Sequence, residues 1–218
     1  MKALRILLVD DHLVVRQGLR FVIENRPGWS VCGEAESGRE AVELAEKLKP
    51  DIVVMDMTMP ELNGLEATRQ IRRRVPGTEV LIFTGDVTND LVHAVFEAGA
   101  RSYVVKTDGI EPLIAGIEAL AAHKTYFTAE IGEIIFARYL KGKAAKDRDE
   151  AADSRLTERE QETIQLLAEG NSNKEVAQKL GISVKTAETH RAAVMRKLKL
   201  VNFSDLVRYA IRNRIIQA

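Results

Sequence analysis

The chain holds one cysteine in 218 residues. Cys32 therefore has no internal partner, which excludes a disulfide framework. It lies in Val31-Cys32-Gly33, an apparent strand, and is expected to be a buried structural thiol. The four histidines, His12, His93, His123 and His190, show no metal-site spacing, so neither zinc nor redox chemistry is indicated. No apolar run reaches the roughly 18 residues needed to span a bilayer. Nor does Met1-Lys2-Ala3-Leu4-Arg5 lead into a signal peptide, because Asp10 and Asp11 break the apolar segment early. A cytoplasmic location without membrane contact is expected, and no internal repeat is visible.

Net charge is also absent, but the zero hides a polarised chain. Residues 1–140 carry 16 basic and 21 acidic side chains, a net of −5, whereas residues 141–218 carry 16 and 11, a net of +5. From Gly181 onward eight basic residues face two acidic ones, which favours a polyanionic partner for the C-terminal part. A chain longer than the usual domain of about 100–150 residues is expected to form two domains. The segment from Lys141 to Ser154 lacks any large apolar residue and reads as a solvated linker. Before it, Phe127, Ile131, Ile134, Ile135 and Tyr139 recur near helical spacing, which predicts a short connecting helix. The expected limits are a first domain at 1–124, a connecting helix and linker at 125–153, and a second domain at 154–218.

What is present upstream is a regular alternation. Apolar runs near 4–9, 30–34, 51–55, 79–83 and 102–105 alternate with helical patterns near 13–25, 38–48, 63–74, 88–98 and 111–122. That order predicts an α/β domain with a five-stranded, doubly wound parallel sheet. In such sheets the carboxyl ends of the strands line one crevice. Asp10 and Asp11 end one run, Asp56 another and Lys106 a third. Three converging carboxylates repel one another unless a cation neutralises them, and an oxygen-only set beside a lysine suits Mg²⁺. One carboxylate, Asp56, could then accept a phosphoryl group as an acyl phosphate. Any one of these acids taken singly reads equally well as a helix cap or loop residue.

These residues resemble the receiver domain of bacterial two-component response regulators, a flavodoxin-like fold. The matching segments are Ile6-Leu7-Leu8-Val9-Asp10-Asp11, Val54-Met55-Asp56-Met57-Thr58-Met59-Pro60, Asn63-Gly64, Thr84, and Gly99-Ala100 leading to Tyr103 and Lys106. The resemblance implies that Asp56 takes phosphate from a sensor histidine kinase. It implies Mg²⁺ held by Asp11, Asp56 and the Thr58 carbonyl, with Asp10 assisting through water, and a phosphate contact from Lys106. It assigns Thr84 and Tyr103 to a switch, the hydroxyl moving onto the phosphate and the ring rotating inward. Read alone, Thr84 is a β-branched strand residue and Tyr103 a half-buried aromatic with a wet hydroxyl. Asp86 and Thr58, next to the site, are departures expected to bear on phosphate lifetime.

Downstream the pattern is all helical. Thr157 with Glu160 forms a capping-box signature, and the helix it opens ends at Gly170. A second helix starts around Asn171-Ser172-Asn173 and stops at Gly181, and Ser183 can cap a third. This is a helix-turn-helix, whose second member enters the major groove. Leu156-Thr157-Glu158-Arg159-Glu160, Leu166-Leu167-Ala168-Glu169-Gly170, Ser172-Asn173-Lys174-Glu175-Val176-Ala177, Leu180-Gly181-Ile182-Ser183, Lys185-Thr186, His190 and Arg196-Lys197-Leu198 resemble the LuxR-type domain attached to receivers in the NarL/FixJ family.

The DNA-facing set is expected to be Lys185, Thr186, Glu188, Thr189, Arg191, Arg196 and Lys197. Glu188 could accept from a cytosine amino group or pair with Lys185 or Arg191 on the helix surface. The resemblance further implies a dimer through Leu206, Val207, Ala210 and Ile211. The function expected is that of a non-enzymatic, phosphorylation-controlled transcription regulator. Its partners would be a sensor kinase, DNA with paired half-sites, a second copy when phosphorylated, and RNA polymerase. Two rivals differ. An aspartate-nucleophile phosphatase would need a carboxylate two residues after Asp56, where Thr58 stands. An atypical regulator would keep the fold but act without phosphorylation.

Overall fold

The computed structural model describes residues 3–85, 87–142, 156–213 and 215–216. The linker expected at 141–154 lies, from Lys143 onward, outside them, and so does Asp86. The chain divides into an N-terminal and a C-terminal compact unit.

The N-terminal unit alternates as its apolar runs predict. The elements are β1 (Leu4–Val9), α1 (Leu13–Glu24), β2 (Trp29–Ala35), α2 (Gly38–Leu48), β3 (Ile52–Met55), α3 (Gly64–Arg74), β4 (Glu79–Thr84), α4 (Asn89–Glu97), β5 (Ser102–Val105), α5 (Ile110–Ala121), β6 (Tyr126–Phe127) and α6 (Ala129–Gly142). Every strand pair is parallel, in the order β2-β1-β3-β4-β5-β6. All residues of β3 and β5 are buried, as expected for strands sandwiched between helices. One face of the sheet joins Ile6, Leu8, Val54, Leu81 and Val104 to Leu19 and Ile23 of α1 and Leu113 and Ile117 of α5. Helix starts follow side-chain chemistry. Ser37, Asn63 and Thr88 each accept from the backbone N–H three residues on, opening α2, α3 and α4.

The expected five strands gain a sixth. β6 is only two residues long, pairing Tyr126 with Ser102 and Phe127 with Tyr103, too short to leave an alternation in the sequence. The Phe127 ring meets Phe96 of α4 edge to face, with centroids 5.9 Å apart. Cys32 also departs from expectation, being half-buried rather than enclosed. The β1–β2 register shifts there, with Ile6 opposite Val31 and Leu7 opposite Gly33, so Cys32 is the bulged residue of an edge strand.

The C-terminal unit contains α7 (Glu158–Ala168), α8 (Asn173–Leu180), α9 (Val184–Lys197) and α10 (Phe203–Arg212). Thr157 with Glu160 and Ser172 with Glu175 form reciprocal capping boxes, while Ser183 and Asn202 cap α9 and α10. Each cap is worth about 1 kcal/mol, which matters for helices of 8 to 14 residues. Gly181 ends α8 at φ 64°, a left-handed conformation that sets the turn into α9. The core joins Ile164, Leu167, Val176, Leu180, Val194 and Leu206. Among the described residues no helix is long and apolar enough to cross a membrane.

Candidate functional site

The parallel register of β1 and β3 sets Val9 opposite Met55, so the residues that follow, Asp10 and Asp56, leave the sheet side by side. The Asp56 amide donates to the Val9 carbonyl at 2.8 Å, and Asp56 Oδ1 accepts from the Met57 amide at 2.8 Å. Lys106, at the end of β5, brings its Nζ to 2.6 Å from Asp10 Oδ2 and 3.0 Å from Asp56 Oδ2. Carboxylate oxygens of Asp10, Asp11 and Asp56 and a ring nitrogen of His12 all fall within 4.8 Å of one another. Sequence spacing did not reveal His12, whose Nδ1 lies 2.7 Å from Asp11 Oδ1. Its adjacency to the acid pair was the available signal.

Burial pushes the Asp56 carboxyl above its ordinary range, against the opposing pull of the Lys106 charge. For Lys106, burial alone would lower the ammonium, but the hydrogen bond to Asp10 and the Asp56 charge outweigh it and raise its pKa. The three carboxylates of the cluster fit a hard divalent cation, which takes oxygen ligands. Asn63-Gly64 serves this loop sterically. A Cβ at Gly64 would stand 2.0 Å from the Asp56 carbonyl oxygen, while the Gly64 amide donates to Met57 O at 2.8 Å. Only glycine lets α3 begin this close to the Asp56 backbone.

Thr84 is buried at the end of β4, opposite Val105. Tyr103 has no exposed surface, in contrast to the half-buried position that its residue type alone suggests, and is flanked in register by Ile82 and Phe127. Thr58 is half-buried two residues after Asp56.

On α9 the expected DNA-facing side chains separate into two groups. Lys185, Thr186, Glu188, Thr189 and Arg196 are exposed. Lys185 and Glu188 lie 3.7 Å apart, the surface pairing that competes with base contact. Arg191 is engaged within the unit, its Nη1 donating to Asn173 Oδ1 at 3.4 Å and its Cζ lying 6.0 Å from the Phe203 ring centre. Lys197 is placed differently, with its Nζ 2.7 Å from Glu160 Oε2, closing the capping box of α7 rather than projecting as a free donor. The dimer set also divides. Leu206 and Ala210 are fully buried in the unit's own core, leaving Val207 and Ile211 as the accessible members.

A doubly wound domain with an acidic cluster at its strand ends, in one chain with a capped helix-turn-helix, is the architecture of a two-domain regulator. Residues 6–118 match the response regulator receiver domain, and residues 154–210 match the luxR family of bacterial regulatory proteins. The chain is 35% identical to the transcriptional regulatory protein LiaR of Bacillus subtilis (strain 168), over 98% of this chain and 99% of that protein. It resembles the crystal structure of a LuxR-family two-component response regulator from Aurantimonas sp. SI85-9A1, with TM-score 0.60 and 41% identity, over 64% of this chain and 99% of that one. It also resembles RcsB from Salmonella enterica serovar Typhimurium bound to a promoter in the presence of phosphomimetic BeF3-, with TM-score 0.59 and 25% identity, over 95% and 98%. The chain belongs to the NarL/FixJ family: it is a two-component response regulator with a LuxR-type DNA-binding domain.

Proposed function

We propose that Asp56 accepts a phosphoryl group from the phosphohistidine of a sensor kinase, and that this controls dimerisation and sequence-specific binding to paired DNA half-sites. The observation that carries the proposal is the sharing of one ammonium, Lys106 Nζ, by Asp10 at 2.6 Å and Asp56 at 3.0 Å inside a cluster of three carboxylates. Asp11, Asp56 and the Thr58 carbonyl would hold Mg²⁺, with Asp10 acting through water. When bound, the ion supplies positive charge that offsets the phosphoryl oxygens.

In the transfer, an Asp56 carboxylate oxygen forms the new P–O bond as the P–N bond to the kinase imidazole breaks, and the imidazole leaves with the bonding pair. Lys106 then exchanges a carboxylate for a phosphoryl oxygen, and the Thr84 hydroxyl takes another. Tyr103, already enclosed, holds the inward arrangement that this exchange favours. We place the receiver at 1–124, the connector at 125–153 and the DNA-binding domain at 154–218. Lys185, Thr186, Thr189, Arg191 and Arg196 hold phosphates, and Glu188 faces a base edge. RNA polymerase is the downstream partner of the bound dimer. What supports the link between phosphate and DNA binding is the similar RcsB structure, bound to a promoter in the presence of phosphomimetic BeF3-.

The test is retention of genomic DNA fragments by the purified protein at fixed salt, with and without Mg²⁺ plus beryllofluoride. Enrichment of paired half-sites about one helical turn apart, only with the adduct, is expected. Equal enrichment in both states overturns control by phosphate.

A further inference from the structure

Helix α1 packs through Leu19 and Ile23, yet its inward face also carries Arg16, only 3% exposed. A guanidinium buried among apolar side chains is costly unless each donor finds an acceptor. Here the acceptors come from two places. Nε lies 3.4 Å from Glu34 Oε2, and Nη2 bonds Glu36 Oε1, both on the segment that ends β2. Nη1 donates at 2.6 Å to the backbone carbonyl of Asp10. Glu34 is itself fixed by Arg20 Nη1 at 2.7 Å. The interruption of the α1 stripe by an arginine was the sequence signal for this arrangement.

We propose that Arg16 is a positioning residue of the divalent-cation site, fixing the peptide that joins Asp10 to Asp11. The Asp10 carbonyl is one end of that peptide and the Asp11 amide the other, so the guanidinium sets the plane from which the Asp11 side chain projects. The two flanking peptides are fixed separately, the one before by the Asp10 amide donating to Ala35 O at 3.2 Å and the one after by the His12 amide donating to Asp10 Oδ1 at 2.8 Å. Arg16 thus completes a frame in which the two neighbouring acids point into one site. The planar fork is essential, since an ammonium is a point charge that cannot hold two carboxylates and a carbonyl in these fixed directions. The inference rests on the reading that the acidic cluster holds Mg²⁺.

Mg²⁺ affinity of the full chain, measured by titration calorimetry, tests it beside urea unfolding of the same samples. Arg16→Lys is expected to weaken Mg²⁺ binding about tenfold, as changes to groups that orient metal ligands do. Saturating Mg²⁺ is expected to restore beryllofluoride adduct formation. A merely structural arginine would lower the urea midpoint and leave the affinity of the folded protein unchanged, which overturns the proposal. If Arg16→Lys does not fold, Glu36→Gln carries the test: weakening of about threefold or more supports the frame, and unchanged affinity overturns it. Asp11→Asn separates the two levels. If it binds Mg²⁺ as tightly as the unaltered protein, the cation reading itself is wrong; if it abolishes binding while Arg16→Lys does not weaken it, only the role of Arg16 falls.

Discussion

Replacing Lys106 by Met keeps the aliphatic stem and removes the charge that Asp10 and Asp56 share. At an effective dielectric constant of about 20, each contact near 3 Å is worth roughly 5 kcal/mol before desolvation is subtracted. Removing one partner of a buried pair costs about 3–5 kcal/mol, because the other charge stays buried. The Lys106 side chain is 23% exposed, so the lower end applies, about 3 kcal/mol at neutral pH. The pH dependence has a definite sign. The folded-state pKa of Asp56 is raised by burial, and loss of the ammonium raises it further. Stability from such a group is full below its unfolded value and is lost as pH rises through the folded one.

The deficit of Lys106→Met is therefore largest at neutral pH and shrinks on acidification toward the ordinary carboxylate range. Added Mg²⁺ shrinks it as well. Urea unfolding at about pH 7.5 and about pH 5, with and without MgCl2, reads both effects, provided the slope with urea is unchanged. A loss below about 1 kcal/mol at neutral pH, or a deficit that grows on acidification, refutes the reasoning.

Gly64→Ala places a Cβ 2.0 Å from the Asp56 carbonyl, so it is expected to cost about 1–3 kcal/mol and to slow beryllofluoride adduct formation. A variant as stable and reactive as the parent counts against the steric account. Asp56→Asn removes a carboxyl whose pKa burial has raised, so without Mg²⁺ the variant is expected to melt higher by a few degrees, about 1 kcal/mol; a lower melting temperature contradicts it. In the second unit, burial alone would raise the Glu160 carboxyl, but bonds from Lys197 and Thr157 hold it below the usual range. Glu160→Gln should therefore lose about 1–2 kcal/mol at neutral pH, a difference that disappears as pH falls through the lowered pKa. Equal losses at neutral and acid pH would locate the effect elsewhere.

Apolar runs ending in Asp10, Asp56 and Lys106 made the sheet and its crevice legible, because strand pattern and strand-end chemistry are both local in sequence. Caps were legible for the same reason, as at Thr157 and Ser183. What covers an apolar face was not. Leu206 and Ala210 stand four residues apart on α10, a spacing equally suited to a partner and to the unit's own core, and the core takes them. Lys197 reads as a phosphate donor until Glu160, 37 positions away, is brought beside it. Arg16 and Glu34 are 18 positions apart, and their pairing depends on how α1 lies against β2.

β6 bears on where this protein can be cut. Ending the chain at residue 124, the receiver limit that the family resemblance suggests, removes the two-residue strand β6 from beside β5 and leaves the Ser102 and Tyr103 backbone as an open sheet edge. It also uncovers the face of Phe96 that Phe127 occupies. An unprotected apolar edge is a template for another chain. A fragment of residues 1–124 is thus expected to self-associate in sedimentation while one of residues 1–142 stays monodisperse. The two-residue strand at the start of the connector thus acts as an edge guard for the sheet.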